Sequence, residues 1–229
     1  MPNSVLGLIP ARAGSKRIPD KNVRDLAGHP LLAYSIASAL SSGIFKKVVV
    51  STDSGKYGSI AQHYGADVLY RPPEMATDTS PDIEWVKHAL EVLPGFDAFA
   101  ILRPTSPFRK PETITRAWTE FQSTAFAHSL RAVEKCAQHP GKMWVVRHGY
   151  LHPLLPLVDG PNGTPGHSSQ YPTLPAVYVQ NASLEIAWAW VVKKFGSIAG
   201  ESVKAFLTYD AEGVDINSEA DFRIAELMV

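Results

Sequence analysis

Cysteine is almost missing from this chain: Cys136 is the only one in 229 residues. That excludes an internal disulfide and any cysteine-built zinc cluster, and leaves Cys136 to be read as a small, partly buried side chain. Net charge is missing too, since 22 Lys and Arg face 22 Asp and Glu. Broad binding of nucleic acid or of an anionic membrane surface needs a basic excess, so neither partner is expected. No apolar run reaches the roughly 18 residues that a membrane-crossing helix requires. No basic segment followed by a long apolar stretch opens the chain, so no signal peptide is expected. The histidines at 128, 139, 148, 152 and 167 match no metal-ligand spacing, and no G-x-S-x-G elbow supports serine hydrolysis. These absences suit a cytoplasmic enzyme with one sizeable core.

What is present is concentrated near the start. Val5–Ile9 is an apolar run that reads as a buried strand, and Ile9 to Asn22 follows as I-P-A-R-A-G-S-K-R-I-P-D-K-N. A strand opening into a small, basic, glycine-containing loop can hold phosphates on backbone N–H groups and cations. The spacing excludes a P-loop, because Gly14 is followed by Ser15 and then Lys16, and no G-x-G-x-x-G run follows any predicted strand. The remaining readings are a nucleotide loop of another design or an ordinary solvated basic loop.

Periodicity predicts alternating strands and helices through the first half. Strands are expected at Val5–Ile9, Val48–Ser51, Val68–Tyr70 and Phe99–Leu102. Helices are expected at Leu31–Leu40, with Leu32, Ile36 and Leu40 on one face, and at Lys56–Tyr64, Asp82–Leu93 and Pro111–Phe121. This rhythm predicts an α/β fold with a mostly parallel sheet and helices on both faces. Ligands then belong beyond the carboxyl ends of the strands, where the first loop, Asp53 and the segment from Arg103 to Arg109 emerge. The second half is less regular. Strands are expected at Phe126–Val133, Met143–Val146, Val177–Val179 and Leu184–Trp190, with a Pro/Gly/Ser-rich loop or lid between Leu154 and Leu174. A final helix is expected over Ser218–Met228, with Ser218 as its cap.

The I-P-A-R-x-G-S-K-R-x-P-x-K-N run resembles the opening motif of the acylneuraminate cytidylyltransferases, the CMP-sialic acid synthetase family. In the same order follow V-V-V-S-T-D at Val48–Asp53, R-P-P-E-M-A-T-D-T at Arg71–Thr79, L-R-P-T-S-P-F-R at Leu102–Arg109 and V-D-I-N-S-E-A-D at Val214–Asp221. The resemblance implies a Rossmann-like domain spanning residues 1–229, with an inserted dimerisation segment at roughly 130–185 and a homodimer as the working form. It implies a reaction that joins a sugar hydroxyl to the α-phosphorus of CTP and releases pyrophosphate, catalysed by cations, Mg2+ and positioning. Arg12 and Lys21 would contact the triphosphate, with Ala11, Gly14, Ser15 and Lys16 around the phosphates. Asn22 and Arg71 would read the cytosine, and Asp78, Thr79 and Ser80 would close its pocket. Asp78 or Ser80 capping the next helix is the plainer alternative.

The family's aspartate-x-aspartate metal motif is here Asp215-Ile216-Asn217. Residues two apart on a strand share a face, so the pair can still converge on one ion, with one charge fewer. Asp53 is a second candidate for the metal, or a turn-forming or capping aspartate. The acceptor side departs further. His167-Ser168-Ser169-Gln170-Tyr171-Pro172 lacks the family's arginine, Arg103 replaces its glutamine, and N-A-S-L-E-I at Asn181–Ile186 brings an unexpected Glu185. Arg103, Lys142 and Gln170 are the candidate acceptor contacts. Together these departures point to a nonulosonic acid related to sialic acid. The alternatives are an octulosonic acid or phosphonate acceptor, a different nucleotide base, and a catalytically weak nucleotide-binding protein.

Overall fold

In the first strand, β1 (Val5–Pro10), Leu6 and Leu8 pack on one side of the sheet while Val5 and Ile9 pack on the other. That period-two division runs across β4 (Lys47–Thr52) and β6 (Ala98–Ile101), where Val48, Val50, Ala98 and Ala100 face one core and Val49, Phe99 and Ile101 face the other. A strand buried on both faces must be apolar at every position, as β1 is. Gly7 is small for a packing reason, since a Cβ there would stand 3.0 Å from the Phe45 ring.

The computed structural model describes residues 3–155 and 163–229 and falls into two compact units, one formed by residues 1–132 with 181–229 and one by residues 133–180. In the first unit, α1 (Leu31–Ser41), α2 (Gly55–His63) and α4 (Pro111–Ser123) cover one face of the sheet, and α3 (Asp82–Val92) and α5 (Ala189–Phe195) cover the other. The sheet has seven strands among the described residues, and the short β2 (Asp25–Leu26) and β3 (His29–Pro30) pair with each other outside it. With β5 (Asp67–Tyr70), β7 (Ser129–Lys135), β10 (Tyr178–Trp188) and β11 (Val203–Leu207) added, its order is β11-β7-β10-β6-β1-β4-β5. β1 pairs in parallel with β4 and β6, β4 pairs in parallel with β5, and β10 runs antiparallel to β6. The expected mostly parallel α/β architecture is therefore present. The chain winds outward from β1 through β4 to β5 and then returns to β6 on the other side of β1. This opens a crevice at the carboxyl ends of β1 and β6. A third core, built on Ile18, Leu26, Ile216 and Phe222, joins the first loop to α6 (Glu219–Met228), whose Ser218 cap accepts the Asp221 N–H.

Several expected elements differ. Leu40 is half-exposed, and Ala39 takes the inner place in the last turn of α1. Phe126 does not begin a strand: its φ of 62° is left-handed, which an extended strand cannot contain, and β7 starts at Ser129. The two strands expected at Val177–Val179 and Leu184–Trp190 are one continuous β10, and Trp190 belongs to α5, which Gly196 ends at φ 59°. The polar Asn181-Ala182-Ser183 step hides that continuity because its partners come from elsewhere, with Asn181 Nδ2 donating to Thr208 Oγ1 at 2.7 Å.

The second unit carries a hairpin of β8 (Trp144–Arg147) and β9 (Tyr150–Pro153), turned through His148 and Gly149, both at positive φ. That conformation matches the twist of a two-residue hairpin. His139 is buried and accepts the Gly141 N–H on Nδ1 at 3.0 Å. Trp144, Val146, Tyr150 and Leu151 are exposed. Part of the expected Leu154–Leu174 lid, residues 156–162, lies outside the described residues.

Candidate active site

A cavity of about 650 Å3 opens beyond the carboxyl ends of β1, β5 and β6. Its wall includes Arg12, Ser15, Lys16, Lys21 and Asn22 from the first loop, Arg71 and Ser80 from the β5–α3 connection, Arg103 after β6, and Asp215 and Asn217 before α6. Arg12 and Asn217, 205 positions apart in sequence, meet on this wall.

The first loop is held in shape from outside the cavity. Asp53 accepts the Ala13 N–H at 2.8 Å, so it acts on the loop and does not line the cavity; Ser54, not Asp53, caps α2. Asp20, itself left-handed at φ 52°, accepts from Lys56 Nζ at 2.9 Å and from the Tyr57 hydroxyl at 3.0 Å. Those two bonds, Lys56 first, hold the Asp20 carboxyl below its ordinary range. Gly14 stands at φ 76°, a conformation that a side chain disfavours although nothing lies within 4 Å of the place a Cβ would take. Ala11 is fully buried and donates its N–H to Ser51 O at 2.9 Å; neither it nor Gly14 nor Thr79 reaches the cavity wall.

Lys21 is the first correction from the tertiary structure. As a loop lysine it is expected to contribute little to the core, yet it is only 9% exposed and donates to Ile216 O at 2.7 Å. Burial lowers its pKa, against the opposing pull of Asp215. It thus ties the first loop to the segment that carries Asp215 and Asn217. Asp78 supplies the second correction: it caps nothing, because Pro81 precedes α3 and no side chain caps that helix. Its two oxygens instead meet Arg12 Nη2 at 2.6 Å and Lys16 Nζ at 2.5 Å, which keeps the carboxyl below its ordinary pKa. Ser80 likewise serves its own loop, donating to Glu74 O at 2.9 Å.

Arg71 is buried, donates to Ser51 O at 2.6 Å and lies 5.1 Å from the Trp85 ring, while its Nε has no partner. Burial brings its pKa down to about 10, so it stays charged at neutral pH. Asn22 donates to Arg12 O at 3.2 Å from a nearly enclosed position on the wall. Arg109 does not emerge into the crevice as expected. It is 1% exposed, donates to Ser183 O and to Ser35 Oγ (2.8 Å for the latter), and burial brings its pKa down to about 9.

Asp215 and Asn217 sit on a loop rather than on a strand. Asn217 Nδ2 donates to Asp215 Oδ2 at 2.5 Å, and Asp215 Oδ1 is buried with no hydrogen-bond partner. No group of three or more His, Cys, Asp or Glu able to hold a metal occurs among the described residues.

Two residues that looked out of place in the sequence are partners. Arg103 Nη2 donates to Glu185 Oε1 at 2.9 Å and also to Asp82, and Arg131 donates to the other oxygen of Glu185. Burial works against the Arg103 charge, but Asp82 and Glu185 outweigh it and raise its pKa. The wall residue Asp82 and the supporting Arg131 were not among the sequence candidates. Asp82 carries only the signal of an acid in the first turn of a helix, which has a purely local explanation. Lys142 and Gln170 belong to the second unit, where Lys142 Nζ donates to His167 O at 3.4 Å and Gln170 precedes the turn at Tyr171–Thr173.

A mostly parallel sheet with a basic crevice at its switch point defines the class: an α/β protein of the doubly wound kind, in which ligands sit beyond the carboxyl ends of the strands. The cytidylyltransferase family pattern matches residues 6–139, more than half of the chain, and the chain belongs to that family. It is 48% identical over 123 residues to an N-acylneuraminate cytidylyltransferase of Escherichia coli O18:K1:H7, covering 54% of this chain and 29% of that protein. It is 50% identical over 118 residues to a CMP-N,N'-diacetyllegionaminic acid synthase of Legionella pneumophila, covering 49% of this chain and 51% of that protein. The matches thus span about half or less of the length of these relatives. Among solved structures, a CMP:2-keto-3-deoxy-manno-octonic acid synthetase complexed with CTP superposes with a TM-score of 0.72 at 13% identity, over 98% of both chains, which is a likeness of fold. No helix among the described residues is long and apolar enough to cross a membrane.

Proposed function

We propose that this chain transfers CMP from CTP to a nonulosonic, sialic-acid-like keto-sugar acid and releases pyrophosphate. The observation that carries this reading is the convergence of Arg12, Lys16 and Lys21 with Asp215 in one cavity at the sheet's switch point. The relatives named for acylneuraminic and diacetyllegionaminic acid support the acceptor class.

In this reaction the acceptor's hydroxyl oxygen gives up its proton to solvent and forms a bond to the α-phosphorus while the bond from that phosphorus to the bridging oxygen of the pyrophosphate breaks. Negative charge accumulates on the equatorial and leaving oxygens, so fixed cations lower the barrier more than any covalent group would. Arg12 and Lys16 bind the outer phosphates, exchanging the Asp78 carboxylate for phosphate oxygens, and the amides around Gly14 and Ser15 support them. Arg12 offers a planar fork that fits two phosphate oxygens at once. Lys21, held near the Asp215 segment, steadies the α-phosphate. Asn22 and Arg71 read the acceptor atoms of cytosine, with Thr79 and Ser80 on the loop that closes over it.

The donor set fits Mg2+. The ion accepts one or two carboxylates plus phosphate oxygens and keeps several waters, and Asp215 Oδ1 is a buried carboxylate oxygen without a partner. Asp215 would hold the ion and Asn217 would orient Asp215. When bound, the ion neutralises charge on the phosphates. Arg103 on the cavity wall contacts the sugar acid. We read residues 1–229 as one nucleotidyltransferase domain whose segment at about 130–185 serves acceptor binding and a homodimer. The exposed Trp144, Val146, Tyr150 and Leu151 support the dimer, since such apolar surface favours a partner. A CTP substrate and a single cysteine suit a cytoplasmic setting.

The test is pyrophosphate release from CTP and Mg2+ against a panel of eight- and nine-carbon keto-sugar acids. Release with one nonulosonic acid supports the reading and names the acceptor. N-acetylneuraminate as the best substrate would overturn the choice of a sialic acid relative. CTP binding without release by any acceptor, unrescued by Asn217→Asp, would overturn the enzyme reading.

A further inference from the structure

From the cavity wall inward runs a line of four charges. Asp82, in the first turn of α3, and Arg103, just after β6, both line the cavity. Glu185, in the middle of β10, lies behind them at 5% exposure, and Arg131 of β7 lies beyond it. One nitrogen, Arg103 Nη2, serves both Asp82 and Glu185, and Glu185 divides its two oxygens between Arg103 and Arg131. The line alternates acid, base, acid, base, and its charges cancel.

Burying such a line is costly. Desolvation of each ion amounts to several kcal/mol, and well-packed apolar residues would often stabilise a core as well. The line therefore suits a role in which orientation matters more than stability. A guanidinium gripped by carboxylates from two elements cannot swing freely, and it meets a ligand in a set direction with most of its charge already balanced. A singly charged carboxylate can be bound by the edge that remains. A second negative charge placed beside Arg103 would meet the Asp82 carboxylate on the same wall, with Glu185 behind it.

We propose that Glu185 is a specificity-determining positioning residue, which fixes Arg103 so that the cavity selects a sugar acid with a single negative charge over a doubly charged, phosphorylated one. The proposal rests on the nucleotidyl-transfer reading for the identity of the acceptor. Its geometric basis, the shared Arg103 nitrogen and the buried Glu185, is independent of that reading.

The experiment compares wild type, Glu185→Gln and Arg103→Gln with a keto-sugar monocarboxylate and a phosphorylated keto-sugar acid. Acceptor affinity is measured by calorimetry, which needs no turnover, and acceptor and CTP KM are measured by pyrophosphate release. In Glu185→Gln, affinity for the monocarboxylate should fall about tenfold, because Arg103 loses its fixed direction, while CTP KM stays within about twofold. The preference for one charge over two should shrink by a similar factor. A purely structural Glu185 would shift both KM values together or neither, and either result overturns the proposal. Should Glu185→Gln fail to fold because Arg131 is left unpaired, Glu185→Gln with Arg131→Met removes both buried charges. Unchanged acceptor preference in that double variant overturns the proposal equally. Turnover with Glu185-independent selection sinks this proposal alone, and Glu185-dependent binding without turnover sinks the transfer reading alone. Neither binding nor turnover in wild type sinks both.

Discussion

Replacing Lys21 by alanine tests the junction between the two halves of the site. The side chain is nearly enclosed, and its ammonium is bonded to the Ile216 carbonyl at 2.7 Å. Its removal leaves a buried carbonyl unpaired, worth about 1–3 kcal/mol, and takes away methylene packing worth about 0.8 kcal/mol per buried group. Relief from burying a charged amine offsets part of this, because burial already lowers the Lys21 pKa. A net loss of about 2–4 kcal/mol remains, and for a chain of this size that lowers Tm by roughly 5–12 °C. Lys21→Met keeps the stem and loses only the donor, so about half that drop is expected. Both variants should lose on the order of 10²–10³ in kcat if the ammonium stabilises charge at the α-phosphate. The assays are thermal denaturation and pyrophosphate release on the folded variant at saturating CTP. An Ala variant that melts with wild type would refute the tether, and wild-type kcat in either variant would refute the catalytic role.

Asp78→Asn frees Arg12 and Lys16 from a carboxylate that the triphosphate must displace, so CTP should bind more tightly by calorimetry; weaker binding would show that Asp78 serves the bound state instead. Asn217→Asp places a second carboxylate against Asp215, which lies 2.5 Å from the Asn217 amide, so Tm should fall without Mg2+ and recover with it. A Tm independent of Mg2+ would count against a metal at this pair. The folded-state pKa of Asp82 lies below its ordinary 3.8: burial opposes this, but Arg103 outweighs it. Its contribution to stability is therefore complete above pH 3.8 and is lost as pH falls through the folded value, so Asp82→Asn should flatten the acid limb of the stability curve. An acid limb that coincides with wild type would show that the Asp82–Arg103 pair adds nothing.

The sequence by itself determined the elements whose causes are local. The unbroken apolar run of β1, the proline at the start of α4 and the Ser218 cap of α6 act within a few residues, so their patterns were readable without neighbours. The succession of strands and helices in the first half and the basic loop after β1 followed from the same patterns, and that loop lines the cavity. Only the tertiary structure decided what those residues are attached to. Lys21 reads as a solvated loop lysine until Ile216, 195 positions away, closes over it. Arg103 and Glu185 read as two unrelated oddities until β10 is laid beside β6 and brings them within 2.9 Å. The break expected inside β10 disappears for the same reason, because Asn181 is satisfied by Thr208 on another segment. Burial, charge pairing and the partners of polar groups are sums over residues distant in the chain, and no window along the sequence contains them.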